Sequence, residues 1–203
     1  MAKIKQSPKM PAEQRRQQLL QAARTLFMRK SYRGTTTEEI ARQAGLTKGA
    51  LYFHFRSKEE ILFELVKSMH QELISAVGSV PEKKAGPAQL LKALLDAKPE
   101  AGTADFGSYL DFWVQASKIP KIRNFLRVCV EEYSAVFEGR IDRRYAPSKR
   151  DRHDLAVMII AMHDGLTVRK MLGDSEVDFP RQLKLFASLI HGKMETATEK
   201  SKT

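Results

Sequence analysis

Apolar residues recur every three or four positions along most of the chain, which is the period of a helix with one buried face. In residues 12–30, for example, Leu19, Ala23, Leu26 and Phe27 fall on one side. No stretch alternates apolar and polar residues as a half-buried strand does. The pattern predicts helices, separated by proline and glycine, at residues 12–30, 58–77, 88–98, 104–118, 120–146, 149–172 and 180–197. We therefore expect an all-α fold.

Further helix boundaries crowd into the stretch between residues 34 and 62. Thr36, followed three residues later by Glu39, forms a capping-box pattern that starts a short helix. Gly45 ends this helix, because glycine tolerates the left-handed conformation that a helix end often needs. Thr47 can then cap a second short helix. Two such helices joined by a glycine turn predict a helix-turn-helix, whose second helix lies in the major groove of DNA.

This stretch resembles the TetR family of bacterial transcriptional regulators. The matching residues are Gly34, Thr36, Ile40, Ala41, Ala44, Gly45, Leu46, Thr47, Gly49, Leu51, Tyr52, His54, Phe55, Ser57, Lys58, Glu59 and Leu62. The resemblance implies a homodimer whose N-terminal domains bind operator DNA, usually to repress, while a variable C-terminal domain binds a small molecule. We expect a flexible basic arm at residues 1–11, a three-helix helix-turn-helix domain at 12–57, and a helical-bundle domain for ligand binding and dimerisation at 58–203. Residues 58–77 are the expected connecting helix.

The distribution of charge agrees with a DNA-binding N-terminal domain. Of a net charge of +11, residues 1–60 carry +8, from 13 Lys and Arg against 5 Glu. The remaining residues hold 22 basic and 19 acidic side chains, a balance of only +3. Positive charge concentrated beside a helix-turn-helix indicates a polyanionic partner. Solubility alone is the alternative explanation for a basic N-terminus.

Nine residues are candidate DNA contacts: Thr36, Thr37, Thr47, Lys48, Gly49, Ala50, Tyr52, His54 and Lys58. Tyr52 and His54 resemble the phosphate-binding pair of the family. Lys58 places a cation at the start of the helix 58–77, where the helix dipole also favours a phosphate. The two threonines at the start of the first short helix can bind phosphate in the same way. Core packing is the alternative for Tyr52, which has Leu51 and Phe55 as near neighbours.

Base reading is assigned to the start of the second short helix. Lys48 is the candidate for guanine acceptors, and Ala50 can contact a thymine methyl group. Gly49 permits a close approach of the backbone. The pattern assigns no role to Phe53 and places Phe55 in the core.

Aromatic and sulfur-containing residues of the C-terminal domain are sufficient for an apolar effector pocket with a few polar groups. The candidate ligand contacts are Phe106, Tyr109, Trp113, Tyr133, Phe137, Met158, Met162 and His163. Tyr109 and Trp113 lead this group, because they lie four residues apart on one helical face and carry hydrogen-bonding tips. The alternative for every one of these residues is ordinary core packing.

The segments 149–172 and 180–197 are the predicted dimer interface, pairing with their symmetry mates in a four-helix bundle. The apolar residues on which this prediction depends are Leu155, Ile159, Met162, Leu166, Leu183, Phe186, Leu189 and Ile190. The same pattern also fits an intramolecular core.

Other classes of protein are disfavoured. The chain lacks the HExxH, Walker, GxSxG and cysteine–metal patterns, so we expect no enzyme, cofactor or metal. A DNA-binding dimer without an effector remains the main alternative. Cys129 is the only cysteine and is expected to be a buried structural thiol. Neither a signal-peptide-like start nor an apolar run of bilayer length is present, so we expect a cytoplasmic protein and no membrane contact.

Overall fold

The structure, a computed structural model, describes residues 11–97 and 106–200, apart from the side chains of Phe106, Tyr109 and residues 191–200. Within these ranges the backbone forms only α-helices, which confirms the predicted all-α class, and one isolated bridge joins Ala85 to Ile141. The helices are α1 (Ala12–Lys30), α2 (Thr37–Gln43), α3 (Lys48–His54), α4 (Lys58–Gly78), α5 (Pro87–Asp96), α6 (Phe106–Lys118), α7 (Pro120–Arg140), α8 (Lys149–Met171) and α9 (Phe179–Lys200).

The chain divides into two compact units. The first comprises Met1–Lys67 with Thr103–Ile119, and the second comprises Ser68–Gly102 with Pro120–Thr203. Helix α4 therefore contributes its first half to one unit and its second half to the other. The first unit also contains α6, which the division at residue 57 had assigned to the C-terminal domain.

The first unit is built around buried side chains of α1 to α4 and α6. The fully buried residues include Leu19, Ala23, Phe27, Ile40, Leu51, Phe55, Ile61, Leu62 and Phe112. Helix α6 packs against α1, and the carboxylate of Asp111 accepts a hydrogen bond from the backbone N–H of Arg33 at 3.3 Å. The inward face predicted for α1 is confirmed, because Leu19, Ala23 and Phe27 are inaccessible to solvent.

The second unit packs α5 against α8 and α9, and α7 against α8. Its core contains Val77, Leu90, Leu91, Leu94, Phe137, Ile141, Ala156 and Ile159. Helix α7 ends at Arg140, six residues before the predicted end at residue 146. The cause is tertiary: the N–H of Ala85 donates to the carbonyl of Arg140 at 3.0 Å, and the N–H of Asp142 donates to the carbonyl of Ala85 at 3.0 Å.

None of the described helices combines the length and the apolarity that a crossing of the bilayer requires.

Candidate nucleic-acid interface

The predicted capping box at the start of α2 is confirmed. The N–H of Glu39 donates to Thr36 Oγ1 at 3.2 Å, and the N–H of Thr36 donates to the Glu39 carboxylate at 3.0 Å. Lys30 Nζ donates to the same carboxylate at 2.7 Å. These bonds, that of Lys30 above all, lower the pKa of Glu39 to about 2. The start of α2 is thus tied to the end of α1.

The turn between α2 and α3 follows the local signals of the sequence. Gly45 has a φ of 65°, the left-handed conformation that glycine adopts at little cost. The N–H of Leu46 then donates to the carbonyl of Ala41 at 2.9 Å, which closes the end of α2. Thr47 caps α3, its hydroxyl accepting from the N–H of Ala50 at 3.1 Å. These contacts therefore fix the orientation of α3 relative to α2.

Helix α3 turns one face to the core and the other to solvent. Leu51 and Phe55 are buried, as predicted. Tyr52 is 45% exposed and its hydroxyl lies 3.2 Å from Thr37 Oγ1, so the core alternative for this tyrosine is wrong. Phe53 is 81% exposed, with its ring edge-on to that of His54 at 5.2 Å between centroids.

Lys48 forms an ion pair with Glu38 of α2, and its ammonium lies 5.9 Å from the centroid of the Tyr52 ring. The hydrogen bond from Lys48 lowers the pKa of Glu38 and raises that of Lys48. Both side chains are about half exposed. A phosphate or base acceptor can therefore compete with the Glu38 carboxylate for this ammonium.

Lys58 has a structural role that the sequence pattern did not indicate. Its ammonium donates to the carbonyls of Tyr32 at 3.1 Å and Thr35 at 3.0 Å, and lies 4.3 Å from the centroid of the Tyr32 ring. Burial lowers the pKa of Lys58. Because an ammonium has three N–H donors, one remains for the predicted phosphate contact.

The structure brings part of the predicted DNA-contact set together. Thr37, Lys48 and Tyr52 form one polar group where α2 meets α3, with Glu38 at its centre. The hydroxyls of Thr36 and Thr47 are engaged in the helix caps. Glu38 was not predicted as a member of this group, because its partner Lys48 lies ten residues away and only the angle between α2 and α3 joins them.

The predicted effector residues fall into different environments. Trp113 lies in the first unit, edge-on to Phe112 at 5.3 Å. In the second unit Phe137 is buried in the core, and Tyr133 and Met162 pack against the same cluster. Phe106 and Tyr109 lie outside the described side chains.

Two further members of the effector set differ from expectation. Met158 is 62% exposed on α8, so its placement in a buried pocket is wrong. His163 Nδ1 lies 2.9 Å from the carboxylate of the neighbouring Asp164. An open depression of about 350 Å³ contains none of the predicted ligand residues and is lined by Ala76, Ser79, Gln89, Lys92, Ala93, Asp96 and Ala97.

A buried histidine of the second unit escaped prediction. His70 is only 7% exposed, and its Nε2 lies 2.5 Å from a carboxylate oxygen of Glu132. Its ring is edge-on to those of Tyr133 at 4.8 Å and Phe125 at 5.8 Å, while Nδ1 is buried without a hydrogen-bond partner. Only its helical position, four residues after the apolar Val66 and three before Leu73, could have suggested burial.

Cys129, three residues before Glu132 on α7, is buried, and burial raises its pKa to about 11. This placement agrees with the predicted structural thiol. Burial also raises the pKa of Tyr133.

The apolar face predicted for dimer contact is largely occupied within the chain. Ile159 is buried in the core of the second unit, and Leu155, Met162, Leu183 and Phe186 pack against it. These residues therefore contribute to an intramolecular core. Leu189 of the predicted set is exposed, as are three apolar side chains of α8 and α9 outside that set: Val157, Met158 and Leu185.

Two models of known protein families together match most of the chain. Residues 19–65 match the model of the bacterial regulatory proteins of the tetR family. Residues 85–194, more than half of the chain, match the model of the C-terminal domain of BetI-type transcriptional repressors.

Individual relatives agree with these matches. The chain is 37% identical over 87 residues to the HTH-type transcriptional repressor KstR2 of Mycobacterium tuberculosis, a match that covers 43% of this chain and 44% of the relative. The chain thus spans less than half the length of that relative. A transcriptional regulator of the TerR/AcrR family from Aquifex aeolicus VF5 is 28% identical, with a TM-score of 0.67 over 87% of this chain and 99% of the other. A regulator from Saccharomonospora viridis, solved in complex with choline, shares the fold at 20% identity, with a TM-score of 0.67 over 88% and 96%.

Proposed function

Because the chain belongs to the tetR family of bacterial regulatory proteins, we propose that it is a ligand-responsive transcriptional repressor. A homodimer binds a palindromic operator, and a small, largely apolar effector releases it. The matched families and relatives are transcriptional regulators rather than enzymes. KstR2 is named a repressor, which favours the same direction of control here.

The observation that carries DNA binding is the exposed face of α3 within a segment of +8 net charge. Tyr52 and His54 bind phosphates and set the register of the protein on the duplex. Lys48 exchanges the carboxylate of Glu38 for guanine acceptors in the major groove. The third N–H of Lys58 donates a charge-assisted hydrogen bond to a phosphate.

Dimerisation is assigned to the exposed apolar face of α8 and α9. Val157, Met158, Leu185 and Leu189 are large apolar side chains in solvent. Large exposed apolar surfaces mark protein interfaces, and a second copy of the chain would cover these side chains. Pairing with the same two helices of a second copy makes a four-helix bundle. Two-fold symmetry then places two copies of α3 in half-sites about 34–36 Å apart.

The effector is assigned to the second unit, where Tyr133 and Met162 combine apolar surface with a phenol. His70 adds a buried ring nitrogen without a partner, a polar group of the kind that orients a ligand. The relative solved with choline supports a small-molecule ligand for this fold. Effector binding favours a dimer whose α3 helices are wrongly spaced for the operator, a population shift carried by α4.

Selection of fragmented genomic DNA by the purified protein, at near-physiological salt, tests this function. We expect a few enriched palindromes near promoters, and the adjacent genes will indicate the chemistry of the effector. Diffuse or absent enrichment, with and without extracts of small molecules, would contradict a sequence-specific regulator. Release of the selected operator by one added metabolite class would separate a ligand-responsive repressor from a DNA-binding dimer without an effector.

A further inference from the structure

Phe53 is the most exposed large apolar side chain among the described residues, at 81%. It lies on α3 between the buried Leu51 and Phe55. Two residues along an α-helix correspond to about 200° of rotation, so Phe53 points about 160° away from the buried Leu51. Its ring therefore stands at the pole of α3, directly opposite the core.

The rest of this pole carries no hydrogen-bonding side chain. Gly49 lies one turn before Phe53, and a methyl group added there would meet only Thr47 Oγ1, at 3.9 Å. Ala50 lies three residues before Phe53 and offers only a methyl group. A groove wall can therefore approach the backbone of α3 closely on one side of the Phe53 ring.

Two polar side chains of α3, those of Lys48 and Tyr52, lie on one flank of this pole, whereas His54 lies on the other flank with its ring edge-on to that of Phe53. Lys48 is paired with Glu38, and the Tyr52 hydroxyl lies beside Thr37, both on α2. If α3 enters the major groove, the flank meets the backbone or an outer base, and the apolar pole meets the floor of the groove. The only apolar group that base edges present there is the 5-methyl group of thymine.

We propose that Phe53 is a specificity-determining residue whose ring packs against the 5-methyl group of one thymine in each operator half-site. This inference rests on the proposed function, because it requires α3 to lie in the major groove. Removal of the contact exposes both the methyl group and the ring, so specificity for thymine over uracil is its signature. One buried methyl group corresponds to about 0.8 kcal/mol, or about a fourfold change in affinity.

The test is a double-mutant cycle between protein and DNA. Each thymine of the selected operator is replaced singly by deoxyuridine, which removes the methyl group and leaves the base pair intact. We expect the wild-type protein to bind about fourfold more weakly when one particular thymine per half-site is replaced. Phe53→Ala should bind the unmodified operator at least fourfold more weakly and should no longer distinguish thymine from uracil at that position.

The controls separate this contact from general damage. Tyr52→Phe keeps the ring but removes a flank hydroxyl, so it should retain the preference for thymine. Phe53→Ala should preserve the helix content and the salt slope, because it removes neither a core side chain nor a charge.

An undiminished preference for thymine in Phe53→Ala, or no preference at any position in the wild type, would overturn the inference while leaving the operator-binding function intact. If the selection enriches no sequence at all, the proposed function fails, and the inference fails with it.

Discussion

At the residue scale, the turn between α1 and α2 depends on Gly34. A methyl group added to this residue would overlap the backbone carbonyl oxygen of Lys30. A backbone atom cannot rotate away as a side chain can, so the helix end itself would have to move. Ser31 in the same turn has a φ of 67°, which shows how tightly the chain is bent there.

Gly34→Ala should therefore lower the free energy of unfolding by about 1–3 kcal/mol, the usual cost of forcing an atom into filled space. Gly49→Ala is the matched control, since the added methyl group has ordinary van der Waals room. Replacement of a helical glycine should raise stability by about 0.5–1 kcal/mol. Urea unfolding followed by circular dichroism measures both changes. If Gly34→Ala and Gly49→Ala change the free energy of unfolding equally, the steric role of Gly34 is refuted.

Lys58 is the second residue whose effect is decided locally. Lys58→Met keeps the aliphatic stem but removes the donor to the carbonyls of Tyr32 and Thr35. We expect a loss of about 1–3 kcal/mol in the free energy of unfolding, because two carbonyls lose a charged donor. The proposed phosphate contact is measured separately, by a fall of about one in the salt slope of operator binding. Unchanged stability would refute the structural role, and an unchanged slope would refute the phosphate contact.

At the element scale, α2 is held by its first turn. The helix has only seven residues, a length at which helices are marginal without tertiary support. Its capping box and the bond from Lys30 to Glu39 join it to the end of α1. The same carboxylate therefore serves both the helix and its attachment.

This arrangement predicts that the stability of the folded chain depends on pH. The pKa of Glu39 is lowered from 4.5 to about 2 in the folded chain, so its stabilising contribution is complete above about pH 4.5 and disappears as the pH falls toward 2. Glu39→Gln should be less stable than the wild type at pH 7, and the difference should shrink between pH 4.5 and 2. In a Lys30→Met background, the stability difference between Glu39 and Glu39→Gln should be smaller, because the main cause of the lowered pKa is absent. A constant difference across this range would contradict the assignment.

At the scale of the whole molecule, one face of α8 and α9 remains exposed although it is apolar. Other side chains of the same helices, among them Ile159 and Phe186, pack into the core of the second unit. Apolar side chains both in the core and in solvent are the expected pattern for helices that serve a core and an interface.

Replacement of Leu185 and Leu189 by glutamate should convert the proposed dimer into a monomer that keeps its helix content, because both side chains are exposed in the isolated chain. Light scattering coupled to size exclusion measures the mass. The control is Lys184→Glu, which changes the net charge by the same two units on a different face of α9. A dimeric double variant would place the interface elsewhere.

Signals that act over three or four residues were predictable from the sequence. The caps at Thr36 and Thr47 and the left-handed Gly45 lie where expected, because each depends on atoms close in the chain. The burial of Leu51 and Phe55 followed from spacing alone. The end of α7 did not, because the bond from Ala85 that stops it comes from a segment more than fifty residues earlier.

The sequence by itself determined the helical class, the helix-turn-helix and the family, since periodicity, caps and the motif are local properties of the chain. Only the tertiary structure decided which apolar face of α8 and α9 is free, because Ile159 and Met158 are equally apolar and packing alone distinguishes them. It also decided that Lys48 is held by Glu38 and that His70 is buried against Glu132. These pairings depend on the angles and distances between helices, which the order of residues along one helix does not specify.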